Sequence, residues 1–89
     1  MVRRGDPEVL RHAVLFLRVH TGLTQAEFGK ACRVPQAEIS RFESGRQAPS
    51  EEILSRMAEA AGVPWEYVNS LRRFHATVLA ALAQLPRFA

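Results

Sequence analysis

Helix-start and helix-stop signals alternate so closely between Gly22 and Gly62 that no helix in that interval can exceed about three turns. Thr24 stands three residues before Glu27, the spacing of a capping box in which a hydroxyl and a carboxylate satisfy each other's backbone amides. The helix it opens carries Ala26, Phe28, Ala31 and Cys32 and ends near Arg33. Val34 and Pro35 impose a turn. Ile39 and Phe42 then form an inward pair three residues apart before Ser44 and Gly45 stop the next helix. Pro49 and Ser50 open another, with Glu51 and Glu52 in its first turn, where carboxylates suit the positive end of the dipole. Ile53, Leu54, Met57, Ala58 and Ala61 line its inner face as far as Gly62.

A longer helix is expected on each side of these three. Asp6 before Pro7 is a capping side chain ahead of a first-turn proline, and Val9, Leu10, Ala13 and Leu17, with Val14 and Phe16, carry the period to about Thr21. The last helix starts at Pro64 or Trp65 and runs to Leu85, where Pro86 follows. Its apolar face includes Tyr67, Val68, Leu71, Phe74, Val78, Leu79, Leu82 and Leu85, more than one small bundle needs. Within it Val68, Leu71, His75, Val78, Leu82 and Leu85 alternate three and four apart, the period of a seam with a second copy. The expectation is that one edge serves the domain and the other a partner.

Eighty-nine residues suffice for one core but not for a core with a deep catalytic cleft beside it, so a binding module is favoured. Twelve basic residues against nine acidic give a net charge of +3, which suits a polyanionic partner without demanding one. A single cysteine excludes an internal disulfide or a multi-thiolate zinc site within one chain and fits a reducing, cytoplasmic setting. No apolar run approaches the ~20 residues that span a bilayer, and Met1 to Pro7 leads into a charged amphipathic segment rather than a signal-peptide stretch.

Two helices of about two turns each, joined by a tight connection between longer helices, have the layout of a helix-turn-helix. The segment from Gly22 to Val63 resembles the Cro/C1-type, or XRE-like, helix-turn-helix domain. The matching elements are Leu23-Thr24-Gln25, Ile39-Ser40-Arg41-Phe42-Glu43 with Gly45, Pro49-Ser50, and Ile53-Leu54. The resemblance implies an all-α, five-helix, lambda-repressor-like domain with an extended C-terminal helix. Residues 1–63 would form the DNA-binding core, and residues 64–89 the helix that completes it and dimerises.

The same resemblance implies roles for individual residues. Gln36, Ala37, Ser40 and Arg41 would face base edges. Gln25 would touch a phosphate and buttress Gln36, while Ser44, Arg46 and Gln47 would contact the DNA backbone. Arg18 and Glu43 would form a structural ion pair. The chemistry agrees: glutamine pairs bidentately with adenine and arginine with guanine, alanine meets a thymine methyl, and free amides with Thr24 at a helix start hold a phosphate. Segment Arg33 to Arg46, with three arginines and two glutamates, is thus read as turn, recognition helix and phosphate loop.

The sequence departs from the family pattern at four places. Arg33 stands where the family often has glycine in a left-handed turn, and an arginine there can also reach a phosphate. Pro35 replaces a Ser or Thr cap, Gly29 replaces a small alanine, and Glu38 adds a carboxylate to an outward face.

His12, His20 and His75 lack a thiol or carboxylate at ligand spacing and are read as surface or packing residues, and Cys32 as a buried thiol. No metal or other cofactor is expected, and no nucleophile-base pair or phosphate loop suggests an enzyme. The expected function is a regulator that binds double-stranded DNA as a homodimer on a palindromic operator. Leu71, Phe74, Val78, Leu82 and Leu85 would form the dimer interface. The alternative is an antitoxin-like or anti-repressor module that uses the same fold to bind another protein.

Overall fold

The computed structural model describes residues 3–85, in which five α-helices follow one another: α1 (Pro7–Thr21), α2 (Gln25–Cys32), α3 (Gln36–Glu43), α4 (Glu51–Ala61) and α5 (Trp65–Ala83). Pro86, expected to stop the last helix, lies outside the described residues, as do Met1, Val2 and the rest of the C-terminal end. The all-α, five-helix architecture expected from the sequence is therefore the one observed. The core is continuous across all five helices. Leu17 of α1, Phe28 of α2, Ile39 and Phe42 of α3, Met57 of α4 and Val68 of α5 are each fully buried in it.

Three helices end in the same paired closure, in which two amides beyond the helix return to its last carbonyls and one residue takes a positive φ. At the end of α2, Val34 N donates to Gly29 O at 2.8 Å and Arg33 N to Lys30 O at 3.3 Å. After α3 the pairs are Arg46 N to Arg41 O and Gly45 N to Phe42 O, and after α4 they are Val63 N to Ala58 O and Gly62 N to Glu59 O. Gly45 and Gly62 take φ values of 77° and 70°, as glycine does freely, whereas Arg33 takes 61° with a side chain attached. That conformation costs an L-residue about 1 kcal/mol or somewhat more. Arg56 of α4 steadies the turn by donating Nη1 to the Arg33 carbonyl at 3.2 Å.

α3 is only eight residues long and depends on its neighbours. Ile39 and Phe42 anchor its inner stripe, each contributing about 1.5–3 kcal/mol by burial. Its last residue, Glu43, is gripped by Arg18 of α1, with Nε to Oε2 at 2.6 Å and Nη2 to Oε1 at 3.0 Å. Arg18 Nη1 also donates to Leu23 O, and Gln25 Nε2 to Glu43 Oε1 at 3.1 Å. The ion pair implied by the family resemblance is thus present, and the Glu43 carboxylate holds the guanidinium above its ordinary pKa. A close approach at Gly29 seats α2 against the turn, where a Cβ would lie 2.6 Å from the Val34 carbonyl oxygen.

Several expectations need correction. Asp6 precedes α1 but makes no side-chain cap; its Oδ2 accepts from Arg3 N instead. Phe16 is half exposed, because Val9, Leu10, Ala13, Val14 and Leu17 already complete the buried stripe of α1 and Phe16 lies about 100° around the helix from Leu17. Ile53 and Ala61 are only half-buried. The inner face of α5 is narrower than expected, and its buried residues are Val68, Arg72 and His75. Arg72, unremarked in the sequence, bonds Glu51 Oε1 at 2.5 Å and Asn69, and stacks over Trp65 at 5.3 Å, tying the start of α5 to the start of α4.

Two substitutions probe these joints. Gly29→Ala gains about 1 kcal/mol of helix propensity but forces a backbone oxygen aside, a cost of about 1–3 kcal/mol. The expected net result is a lower melting temperature by circular dichroism, and an unchanged or higher one would count against the close approach. Glu43→Ala strands the Arg18 charge and should cost about 3 kcal/mol. For a domain of this size that corresponds to a melting temperature lower by more than about 10 °C.

Candidate nucleic-acid interface

The N-terminus of α2 is built by the expected capping box. Glu27 N donates to Thr24 Oγ1 at 3.1 Å, and Thr24 N to Glu27 Oε1 at 2.9 Å. These hydrogen bonds from Thr24 hold the Glu27 carboxyl below its ordinary pKa, so it stays ionised. The first-turn amides of Gln25 and Ala26 find no partner among the described residues and stand at the positive end of the helix dipole. Such an end accepts an anion without any sequence preference. The Gln25 carboxamide is occupied elsewhere: it donates to Glu43 and does not buttress Gln36.

On α3 the buried pair Ile39 and Phe42 fixes the rotation of the helix, so Gln36, Ala37 and Arg41 come out exposed and Ser40 half-buried. Glu38, whose carboxylate was expected on an outward face, is half-buried. Pro35 gives no side-chain cap, and its carbonyl accepts the amides of Glu38 and Ile39.

The loop after α3 folds back on the helix end. Arg41 Nε donates to Gln47 Oε1 at 3.0 Å, Ser44 Oγ to Arg41 O at 3.1 Å, and Arg46 Nε to Ser44 Oγ at 3.1 Å. Arg41, Ser44, Arg46 and Gln47 therefore form one exposed polar group, and the coupling of Arg41 to Gln47 was not visible in the sequence. Arg11 of α1 joins its border, since a Cβ on Gly45 would lie 3.2 Å from Arg11 Cδ. Glu8 pairs with Arg11 at 2.9 Å. Nothing in the sequence linked Arg11 to this loop, because only the packing of α1 against it brings them together.

Arg33 lies apart from this group. It occupies the far end of α2 from Thr24, about 12 Å along the helix, in a shallow depression shared with Arg56 and Glu59. Cys32 beside it is buried as expected, and burial pushes its thiol up to about 11, which removes it from thiolate chemistry at neutral pH. His12 and His75 are brought together as a stacked pair, described below.

The surroundings of α2 and α3 therefore place an anion-ready helix end, an exposed helix face with a glutamine and an arginine, and a basic loop on one continuous helix-turn-helix. Known structures share this fold. The clp gene regulator ClgR from Corynebacterium glutamicum superposes with a TM-score of 0.77 and 28% sequence identity, covering 86% of this chain and 82% of that one. A second crystal structure of ClgR gives a TM-score of 0.70 at 28% identity over 79% of this chain and 90% of its own. Among curated protein sequences none matches. The helix-turn-helix family model HTH_3 matches residues 16–68, more than half of the chain. With those residues folded as α2, turn and α3 between α1 and α4, the chain belongs to the Cro/C1-type helix-turn-helix family.

Proposed function

We propose that this chain is a transcriptional regulator that binds double-stranded DNA sequence-specifically, as a cytoplasmic homodimer on an approximately palindromic operator. The observation that carries the reading is the division of α3 into two faces. Ile39, Phe42 and Glu43 are consumed in holding the helix, and Gln36, Ala37 and Arg41 are left exposed. The similarity to ClgR, a gene regulator, supports the same class of function for this chain.

In this reading α3 lies in the major groove. Gln36 pairs with adenine, Ala37 meets a thymine methyl, and Arg41 takes a guanine. The bond from Arg41 Nε to Gln47 holds the guanidinium plane and leaves both terminal nitrogens for O6 and N7. Ser40, half-buried, contributes a smaller contact. Thr24 and the open amide of Gln25 receive one phosphate, while Arg46 and Gln47 Nε2, braced by Ser44, receive another. Arg33, at the opposite end of α2, would reach a separate phosphate. The exposed side chains Phe74, Val78 and Leu82 of α5 and Leu85 just beyond it, with half-buried Leu71, support pairing of two copies. Two recognition helices about 34 Å apart would then read successive major grooves.

Selection from a random duplex pool identifies the operator, and fluorescence anisotropy on the selected duplex tests the contacts. Arg41→Ala should cost about 1–3 kcal/mol and relax the preference at one base position per half-site. Arg46→Ala should weaken all duplexes alike and reduce the slope of log affinity against log salt by about one per protomer. If no sequence is enriched and no duplex binds even at low ionic strength, the reading fails.

A further inference from the structure

The apolar surface is not confined to α5. Leu15, Phe16 and Val19 line a small apolar depression on α1. Phe16 continues into α5 through His75, whose ring lies 5.4 Å from Phe16 and 5.3 Å from Phe74. Beneath this junction His12 and His75 stack with parallel rings, centroids 4.7 Å apart. We propose that a second copy of this chain docks on the joint face of α1 and α5, with Phe16 and Val19 as part of the contact, and that the stacked His12 and His75 make this dimer acid-labile. The proposal rests on the homodimer reading above and names the surface and a control that the reading leaves open.

Three observations favour a second copy as the occupant. From Thr77 to Ala83 no residue of α5 is buried, although residues 76–85 contain no charged side chain. A helix apolar on all sides is a helix that is covered. The exposed areas also suffice. Phe16, Val19, Phe74, Leu82 and Leu85 are each 48–63% exposed and Val78 is 36% exposed. With about 150–250 Å² per large side chain, that is on the order of 600 Å² per copy, so a twofold contact approaches the roughly 1,200 Å² at which stable interfaces begin. Finally, a twofold interface sets each patch against itself. A face whose exposed contact residues are all uncharged meets its own copy without like-charge repulsion, and offers no charge complement to a basic or acidic partner.

The histidines supply the pH dependence. His75 donates Nδ1–H to the Leu71 carbonyl at 2.9 Å, which leaves Nε2 as its basic nitrogen. Burial, then Arg11 and His75, hold the His12 imidazole below its ordinary 6.5, and Glu8, 3.9 Å from Nε2, partly opposes them. Glu8 and Arg11 face the pair from α1, while Arg72 with its partner Glu51 of α4 lies one turn nearer the start of α5. Docking a second copy over Phe16 and Phe74 removes more water from His12 and depresses its proton affinity further. The dimer then binds fewer protons than two monomers, so association is full above the monomer's lowered His12 pKa, which lies below 6.5, and weakens as pH falls through it.

Sedimentation equilibrium of the full chain between pH 7.5 and 5.5 tests this, with circular dichroism at each pH to establish that the helices persist. The expected result is a dimer at pH 7.5 whose dissociation constant rises at least about 10-fold by pH 5.5. Val19→Glu, on an exposed position that leaves the fold intact, should raise that constant at least about 10-fold at pH 7.5. In His12→Gln with His75→Gln the acid weakening should disappear. A chain monomeric at pH 7.5 leaves the face to a different protein and overturns the proposal, whereas DNA binding by that monomer would leave the DNA-reading conclusion standing. A dimer unaffected by Val19→Glu removes α1 from the interface, and equal acid sensitivity in the histidine variant removes the control; either result overturns the proposal as stated.

Discussion

The grip of Arg18 on Glu43 is the interaction on which the placement of α3 depends. An eight-residue helix is not stable alone, and α3 has only two large apolar anchors to hold it in the domain. Glu43 is its last residue, at the negative end of the helix dipole, where a carboxylate is unfavourable unless a cation lies beside it. Arg18 supplies that cation in bidentate form, and Gln25 adds a third donor. The carboxylate thus joins α1, α2 and α3 at one point. Because Arg18 also holds the Leu23 carbonyl, the entry to α2 and the exit from α3 are fixed by the same guanidinium.

Much of this fold was legible because its punctuation is local. A capping box such as Thr24 with Glu27 is decided within four residues, and so are the glycine closures at Gly45 and Gly62. Where the deciding partner lay elsewhere, the reading went astray. Asp6 has the right chemistry for a cap, but the Arg3 amide competes for its carboxylate. Periodicity showed that Tyr67, Phe74, Val78 and Leu82 lie near one another on α5, yet it could not say which edge of that broad stripe meets α1. The buried edge is the one with Val68, Arg72 and His75, two of them polar, because Glu51 of α4 and His12 of α1 arrive from elsewhere in the chain to pair with Arg72 and stack on His75, and Trp65, at the start of α5 itself, lies against Arg72.

The candidate site divides along the same line. Once Ile39 and Phe42 are inside, 100° per residue sends Gln36, Ala37 and Arg41 outward, and a sequence reading can follow that geometry. It cannot follow the choices among side-chain donors. Gln25 was given two possible duties, phosphate and Gln36, and took a third at Glu43, where a carboxylate accepts more strongly than a neutral amide. The glutamine side chain thereby becomes part of the scaffold, and the open donors at the start of α2 are its backbone amides.

The three paired helix closures share one backbone device but place different residues on it. Each returns the residue after the positive-φ position toward its helix, and an apolar residue there normally packs inward. Val34 is buried and Val63 half-buried in this way, so the ends of α2 and α4 serve stability. After α3 the same position is Arg46, and it is exposed. The backbone geometry is unchanged, but the apolar contact has been given up, and the turn displays a guanidinium next to Arg41 and Gln47. A turn that retained only its folding role would keep a valine there, as the other two do. At this one closure charge stands where the other two have burial, and the difference is visible without reference to the residues on α3.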